Sequence, residues 1–143
     1  MGVWSFVKDA GKSLFGMSAE AKEAPADEAL KKEVRDLGLD ASGLDITVEG
    51  DKVKVKGNAV SQEMKEKVIL AVGNVEGVAE VEDDVPGEEP VFHTVAKGDT
   101  LSAIAKKTLG NANRYMEIFE ANKPMLTDPD KIYPGQVLRI PKG

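Results

Sequence analysis

The chain has 143 residues, of which 41% are hydrophobic and 5% aromatic, enough for one ordinary domain or two small, modestly stabilised ones. It contains no cysteine, which excludes a disulfide scaffold and a thiolate metal site. The net charge of -6 is unevenly placed: residues 1–89 hold 11 Lys and Arg against 20 Asp and Glu, residues 90–143 hold 8 against 5, so the acidic first part argues against a nucleic-acid surface and is compatible with a cation partner.

In chain order, Val3, Phe6, Val7, Ala10 and Leu14 fall at helical spacing and predict an amphipathic helix within residues 1–17, closing at Gly11 or Gly16. Its polar face is not strongly basic, so docking on the rest of the protein is expected rather than membrane binding. The start lacks a basic n-region, and Lys8-Asp9 interrupts the apolar run, unlike a signal peptide. No apolar stretch is long enough to span a bilayer, and the expected location is the cytoplasm.

Residues 18–25 read as a mobile spacer. Asp27 caps a helix carrying Leu30, Val34 and Leu37, with Gly38 as its C-cap. Leu44, Ile46 and Val48 alternate with polar residues, Gly50-Asp51 turns, and Val53 and Val55 alternate with Lys52, Lys54 and Lys56: two strands of a hairpin. The lysine row is a solvated face or a protected edge. Ser61 caps a helix with Met64, Val68, Ala71, Val72 and Val75 on its apolar face, and Ala79, Val81 and Val85 mark a third strand. The order helix, strand, strand, helix, strand over 26–86 resembles a BON domain. Pro86 to Pro90 reads as an extended, unpaired linker, with 87–91 joining the halves.

Over 92–141, Phe92 to Val95 is a strand, and Asp99 or Thr100 caps a helix with Leu101, Ile104, Ala105, Thr108 and Leu109. A second helix carries Tyr115, Ile118, Phe119 and Asn122 and stops at Lys123-Pro124, and Val137, Leu138 and Ile140 form a closing strand after Pro134-Gly135. The run Phe92 to Ala105, the stretch Ile118-Phe119-Glu120-Ala121-Asn122 and the stretch Ile132 to Pro141 resemble the LysM module, a βααβ domain best known for binding N-acetylglucosamine glycans. The fold class expected is therefore α+β, with an αββαβ BON-like domain, a βααβ LysM domain and a docked N-terminal helix.

Little in the sequence points to catalysis. His93 is the only histidine, and no Cys nucleophile, Gly-x-Ser-x-Gly elbow or metal-spaced His pair exists, so a non-enzyme is expected. Glu82-Asp83-Asp84 reads as solvated acid, because alternation along a strand disperses neighbouring carboxylates. The LysM resemblance implies a glycan groove between Gly98, Asp99, Thr100 and Leu101 on one side and Pro124, Met125, Leu126 and Ile132 on the other. Leu101 and Ile132 have core positions as the simpler reading.

The BON-then-LysM layout, preceded by Phe6-Val7-Lys8-Asp9-Ala10-Gly11, resembles a family of small bacterial cytoplasmic potassium-binding proteins. That resemblance implies selective binding of K+ over Na+, coupled to a change in conformation. K+ is large and weakly hydrated, and backbone carbonyls can replace its water shell. Carbonyls without partners gather at helix C-termini, where the dipole is negative. Two such ends lie in the first half: one at Val7 and Ala10, the other at Gly73, Val75, Gly77 and Val78, where glycines let the chain turn its oxygens inward. One shared ion is expected there, on a monomer, with closure of the LysM half upon binding. The alternatives are two ordinary helix ends meeting water, a peptidoglycan-binding module of the cell envelope, or an adaptor for an unidentified protein.

Overall fold

The computed structural model describes residues 2–6, 27–75, 77–88, 91–123 and 125–141. The chain divides into two compact units, residues 1–89 and 90–143, and each is described by itself.

The first unit is a four-stranded sheet with two helices packed on it. Its elements are β1 (Gly2–Ser5), α1 (Asp27–Asp36), β2 (Leu44–Glu49), β3 (Lys52–Gly57), α2 (Gln62–Gly73) and β4 (Glu80–Asp84). The strand order is β1-β4-β3-β2, antiparallel at both sides and parallel between β3 and β4, with α2 as the crossover. The α1 helix ends in a Schellman motif: Leu39 N–H donates to Val34 C=O (3.2 Å), Gly38 N–H donates to Arg35 C=O (2.9 Å), and Gly38 has φ +80°. Leu39 and Val34 are both buried, the apolar contact that accompanies this cap. Ser61 caps α2 by accepting from Met64 N–H.

Alternation divides the sheet cleanly. Ile46, Val53, Val55 and Val81 are buried beneath the helices. Lys54 lies on the other face between Thr47 and Glu82, and Lys56 between Asp45 and Asp84. Lys54 pairs with Glu82 (3.4 Å) and Asp84 (3.8 Å), and Lys52 with Glu82 (3.9 Å). The lysine row is thus a central strip flanked by acids, since β3 sits between β2 and β4 and has no free edge.

One expected element is replaced. Residues 2–5 form a strand, not the start of a helix, paired antiparallel with β4 so that Trp4 faces Val81 and Ser5 faces Glu80. Val3, Trp4 and Phe6 are β-favouring residues, and the open side of β4 supplies a complete backbone ladder that a short isolated helix lacks. The remainder of the expected helix, with residues 7–17, lies outside the described residues.

The second unit contains β5 (Phe92–Thr94), α3 (Leu101–Leu109), a 3-10 turn at Ala112–Arg114, α4 (Tyr115–Ala121) and β6 (Val137–Arg139). β5 and β6 pair antiparallel. Thr100 caps α3 by accepting from Ala103 N–H, and Gly110 ends it at φ +80°. The core comprises Val95, Leu101, Ile104, Ala105, Ile118, Phe119, Leu126, Leu138 and Ile140, with Leu109 and Ile132 against it. Asn122 is buried and joins α4 to β6: its amide donates to Ile118 C=O (2.7 Å) and Arg139 C=O (2.9 Å), and its oxygen accepts from Arg139 N–H (2.7 Å). The two small domains are therefore mixed α and β in the expected order.

Candidate functional site

The connection between α2 and β4 brings together Gly73, Val75, Gly77 and Val78, all buried. The last turn of α2 leaves carbonyls without partners inside the helix, and Asn74 N–H takes that of Leu70 (3.0 Å). Asn74 leaves helical geometry at φ -82° and ψ 30°. Val78 N–H then donates to Val75 C=O (3.1 Å), and Gly77 adopts φ +100°, a left-handed conformation that glycine reaches without strain. A carbonyl oxygen has two lone pairs, so the Val75 oxygen retains acceptor capacity. Gly73, Val75, Gly77 and Val78 are thus buried at and just beyond the negative, C-terminal end of a helix.

Phe6 is packed directly on this loop. A Cβ built on Gly73 would lie 2.1, 2.3 and 2.4 Å from three carbons of its ring, so the ring occupies the space that glycine leaves. Phe6 N–H donates to Ala79 C=O (2.9 Å), and Ala79 N–H donates to Asp51 C=O (2.8 Å), which fixes the loop's far end to the β2–β3 turn. The residue that precedes Val7 in sequence is therefore fixed beside the Gly73–Val78 segment. Val7 and Ala10 themselves lie outside the described residues.

The acids Glu82, Asp83 and Asp84 diverge as strand alternation requires. Glu82 and Asp84 face the lysines, but Asp83 is not solvated. It points to the helix side, 1% exposed, and pairs with Lys65 Nζ (3.4 Å), which is equally buried. Lys65 precedes Val68, Ile69 and Val72 by three, four and seven residues and shares their helix face, and Asp83 shares the strand face of Val81 and Val85. Among the described residues no group of three or more His, Cys, Asp or Glu is placed to hold a metal ion. No helix there is long and apolar enough to cross a membrane.

In the second unit, the two sides of the expected groove meet through their apolar residues. Leu101 and Leu126 belong to the buried core and Ile132 packs against it, leaving half-buried Met125 as the more accessible apolar residue. Pro124 lies outside the described residues. Gly98 turns the first loop at φ +90°. The Asp99 carboxylate accepts from Ala96 N–H (2.9 Å) and contacts His93 Nε2 (3.2 Å). These contacts, the Ala96 hydrogen bond foremost, hold its pKa below the ordinary carboxylate value. Thr100 is occupied as the α3 cap. Side chains in this loop are thus committed to its own shape, leaving backbone groups as the means of holding a polar ligand.

Residues 22–85 match the model of the BON domain and residues 93–141 that of the LysM domain. Over 150 aligned positions the chain is 49% identical to the potassium binding protein Kbp of Escherichia coli, covering 99% of each chain. It is 30% identical over 87 positions to the endolysin of Bacillus phage B103, covering 61% of this chain and 32% of the endolysin. It is also 30% identical over 115 positions to an uncharacterized protein of Deinococcus radiodurans, covering 68% of this chain and 44% of that one. A near-complete match at this identity, together with two domain models in the same order, settles the family: the chain belongs to the Kbp family, in which a BON domain precedes a single LysM domain.

Proposed function

We propose that this protein binds K+ selectively, through backbone carbonyls of Gly73, Val75, Gly77 and Val78 joined by those of Val7 and Ala10. The observation that carries the reading is Phe6, whose ring fills the space above Gly73 and whose N–H is tied to Ala79, which brings the N-terminal segment to the loop at Phe6. The ion's identity is supported by the likeness, over the full length, to a potassium binding protein. Binding that joins the N-terminal segment to the loop favours the compact state by mass action, since only that state gains the ligand energy. The same event is proposed to close the LysM half upon the BON half, making the protein a non-enzymatic K+ sensor or buffer of the cytoplasm.

Titrating Trp4 fluorescence with KCl and with NaCl at fixed ionic strength tests the reading. A saturable response to K+ and none to Na+ is expected; removal of residues 2–12, which takes Trp4 with it, is expected to abolish K+ binding as read by calorimetry. Identical responses to both salts would refute selectivity, and an unchanged affinity after the truncation would refute the role of Val7 and Ala10. Scattering at saturating K+ is expected to show a smaller radius of gyration than in Na+.

A second reading, glycan binding by the second unit, is favoured by the LysM match over 93–141 and by the likeness to a phage endolysin. A peptidoglycan pull-down, with cell fractionation to establish whether the protein meets the wall, decides it. Retention on peptidoglycan that is lost in a Met125→Asp variant would support the groove.

A further inference from the structure

A polar latch, buried at Lys65, Glu66 and Asp83 and exposed at Gly87 and Glu88, lies at the far ends of the two elements that flank the 73–78 loop. Gln62 clasps the Glu88 peptide from both sides: its amide nitrogen donates to Glu88 C=O (2.8 Å) and its oxygen accepts from Glu88 N–H (2.9 Å). The same nitrogen donates to Glu66 Oε2 (2.6 Å). Lys65 Nζ donates to Glu88 C=O (3.1 Å) and pairs with Asp83, whose other oxygen accepts from Val85 N–H (2.9 Å). Gly87 permits the approach, because it adopts φ +143° and a Cβ there would lie 2.4 Å from Gln62 Oε1. Residues 87–88, expected from the sequence to be unpaired, are therefore held by α2.

The placement gives this latch a role beyond stability. α2 ends at Gly73 and β4 begins at Glu80, so the loop from 73 to 78 joins the elements that Lys65 and Asp83 tie together. Lys65 lies eight residues before Gly73, about 12 Å along the helix axis. A helix of this length moves as a unit, so a displacement of its loop end reaches Gln62 and Lys65. Burial matters as well: the ligand's own salt screens a surface ion pair, but a pair this deeply buried is screened much less.

Resting on the K+ reading above, we propose that Gln62, Lys65 and Asp83 are positioning residues that couple the 73–78 loop to residues 87–88, the start of the chain leading to the LysM half. Ion occupancy and order at Glu88 then rise together, and by linkage breaking the latch changes the K+ affinity.

The test follows backbone amide signals of the full chain as KCl replaces NaCl at constant ionic strength. In the unmodified protein, the Gly77 and Glu88 signals are expected to move with one K+ midpoint. In Gln62→Ala, and separately in Gly87→Ala, which leaves α2 and the ion pair intact, Gly77 is expected to respond while Glu88 does not. The K+ midpoint is expected to shift about 5-fold or more. A purely structural latch would lower the melting temperature and leave the midpoint unmoved. Glu88 tracking K+ in both variants overturns the coupling, as does a still Glu88 in the unmodified protein while Gly77 responds; either leaves the ion site standing. A silent Gly77 sinks the ion site and this coupling with it.

Discussion

Replacing Gly73 by Ala is expected to weaken both the BON half and its ion site, although alanine is the better helix former. The gain from propensity is at most about 1 kcal/mol, and less at the last helical residue. Against it stands the Phe6 ring, which must retreat by more than 1 Å to bring contacts of 2.1 to 2.4 Å to the ordinary 3.4 Å. Rotation within its plane does not relieve this, because three ring carbons meet the new methyl, and Phe6 is buried with its N–H bonded to Ala79. Overpacking of this kind costs roughly 1–3 kcal/mol, and complete loss of the ring, as in Phe6→Ala, sets an upper bound of about 3–5 kcal/mol. A net loss of about 1–2 kcal/mol follows, a fall of roughly 5–15 °C in Tm for a unit of this size. If the same strain opposes the bound state, K+ affinity falls about tenfold. Thermal melts and calorimetric K+ titration measure both, and a double-mutant cycle isolates the cause. In a Phe6→Ala background, Gly73→Ala is expected to be neutral or stabilising, with a coupling of about 1 kcal/mol or more. Additive effects, or a single variant as stable as its parent with unchanged Trp4 emission, would refute the packing argument.

Three further outcomes are expected. Lys65→Ala leaves the Asp83 carboxylate buried with only Val85 N–H as its partner and is expected to cost about 3–5 kcal/mol, whereas Lys65→Met with Asp83→Leu is expected to cost less, as read by denaturant melts. Asn122→Ala removes three hydrogen bonds, two of them from the end of α4 to Arg139 of β6, and is expected to cost the LysM half about 2–4 kcal/mol, with the BON transition unchanged. The depressed pKa of Asp99 means that its contribution is present above the unfolded value of 3.8 and is lost as pH falls through the lower folded value. Asp99→Asn is accordingly expected to flatten the acid limb of the LysM stability profile below about pH 4; an unchanged limb would refute the role of this carboxylate.

Local signals in the sequence marked most elements. Gly38 after the Leu30–Val34 stripe, Gly50-Asp51 between alternating runs, Ser61 before Met64 and Thr100 before Leu101 each set an element by chemistry within a few residues. What escaped such reading depends on distant partners. Val3-Trp4-Ser5 is too short for a period of two to be told from one of 3.6, and its pairing with β4 comes from residues almost eighty positions away. Lys65 and Asp83 each look like surface charges until the two are placed opposite one another. The proposed ion ligands are harder still, since main-chain oxygens leave no side-chain signature: Gly73 and Gly77 stand out, but Val75 and Val78 read simply as core.

The pairing of β1 with β4 also has a temporal side. Gly2 to Ser5 are made nearly eighty residues before their partners at 80–83. At 5–20 residues per second, the nascent tail waits roughly 4–16 s before it can be sequestered, with Val3, Trp4 and Phe6 in water throughout. Phe6 reaches Gly73 only after that delay, so the pocket beneath it is among the last features of the BON half to be assembled on the ribosome.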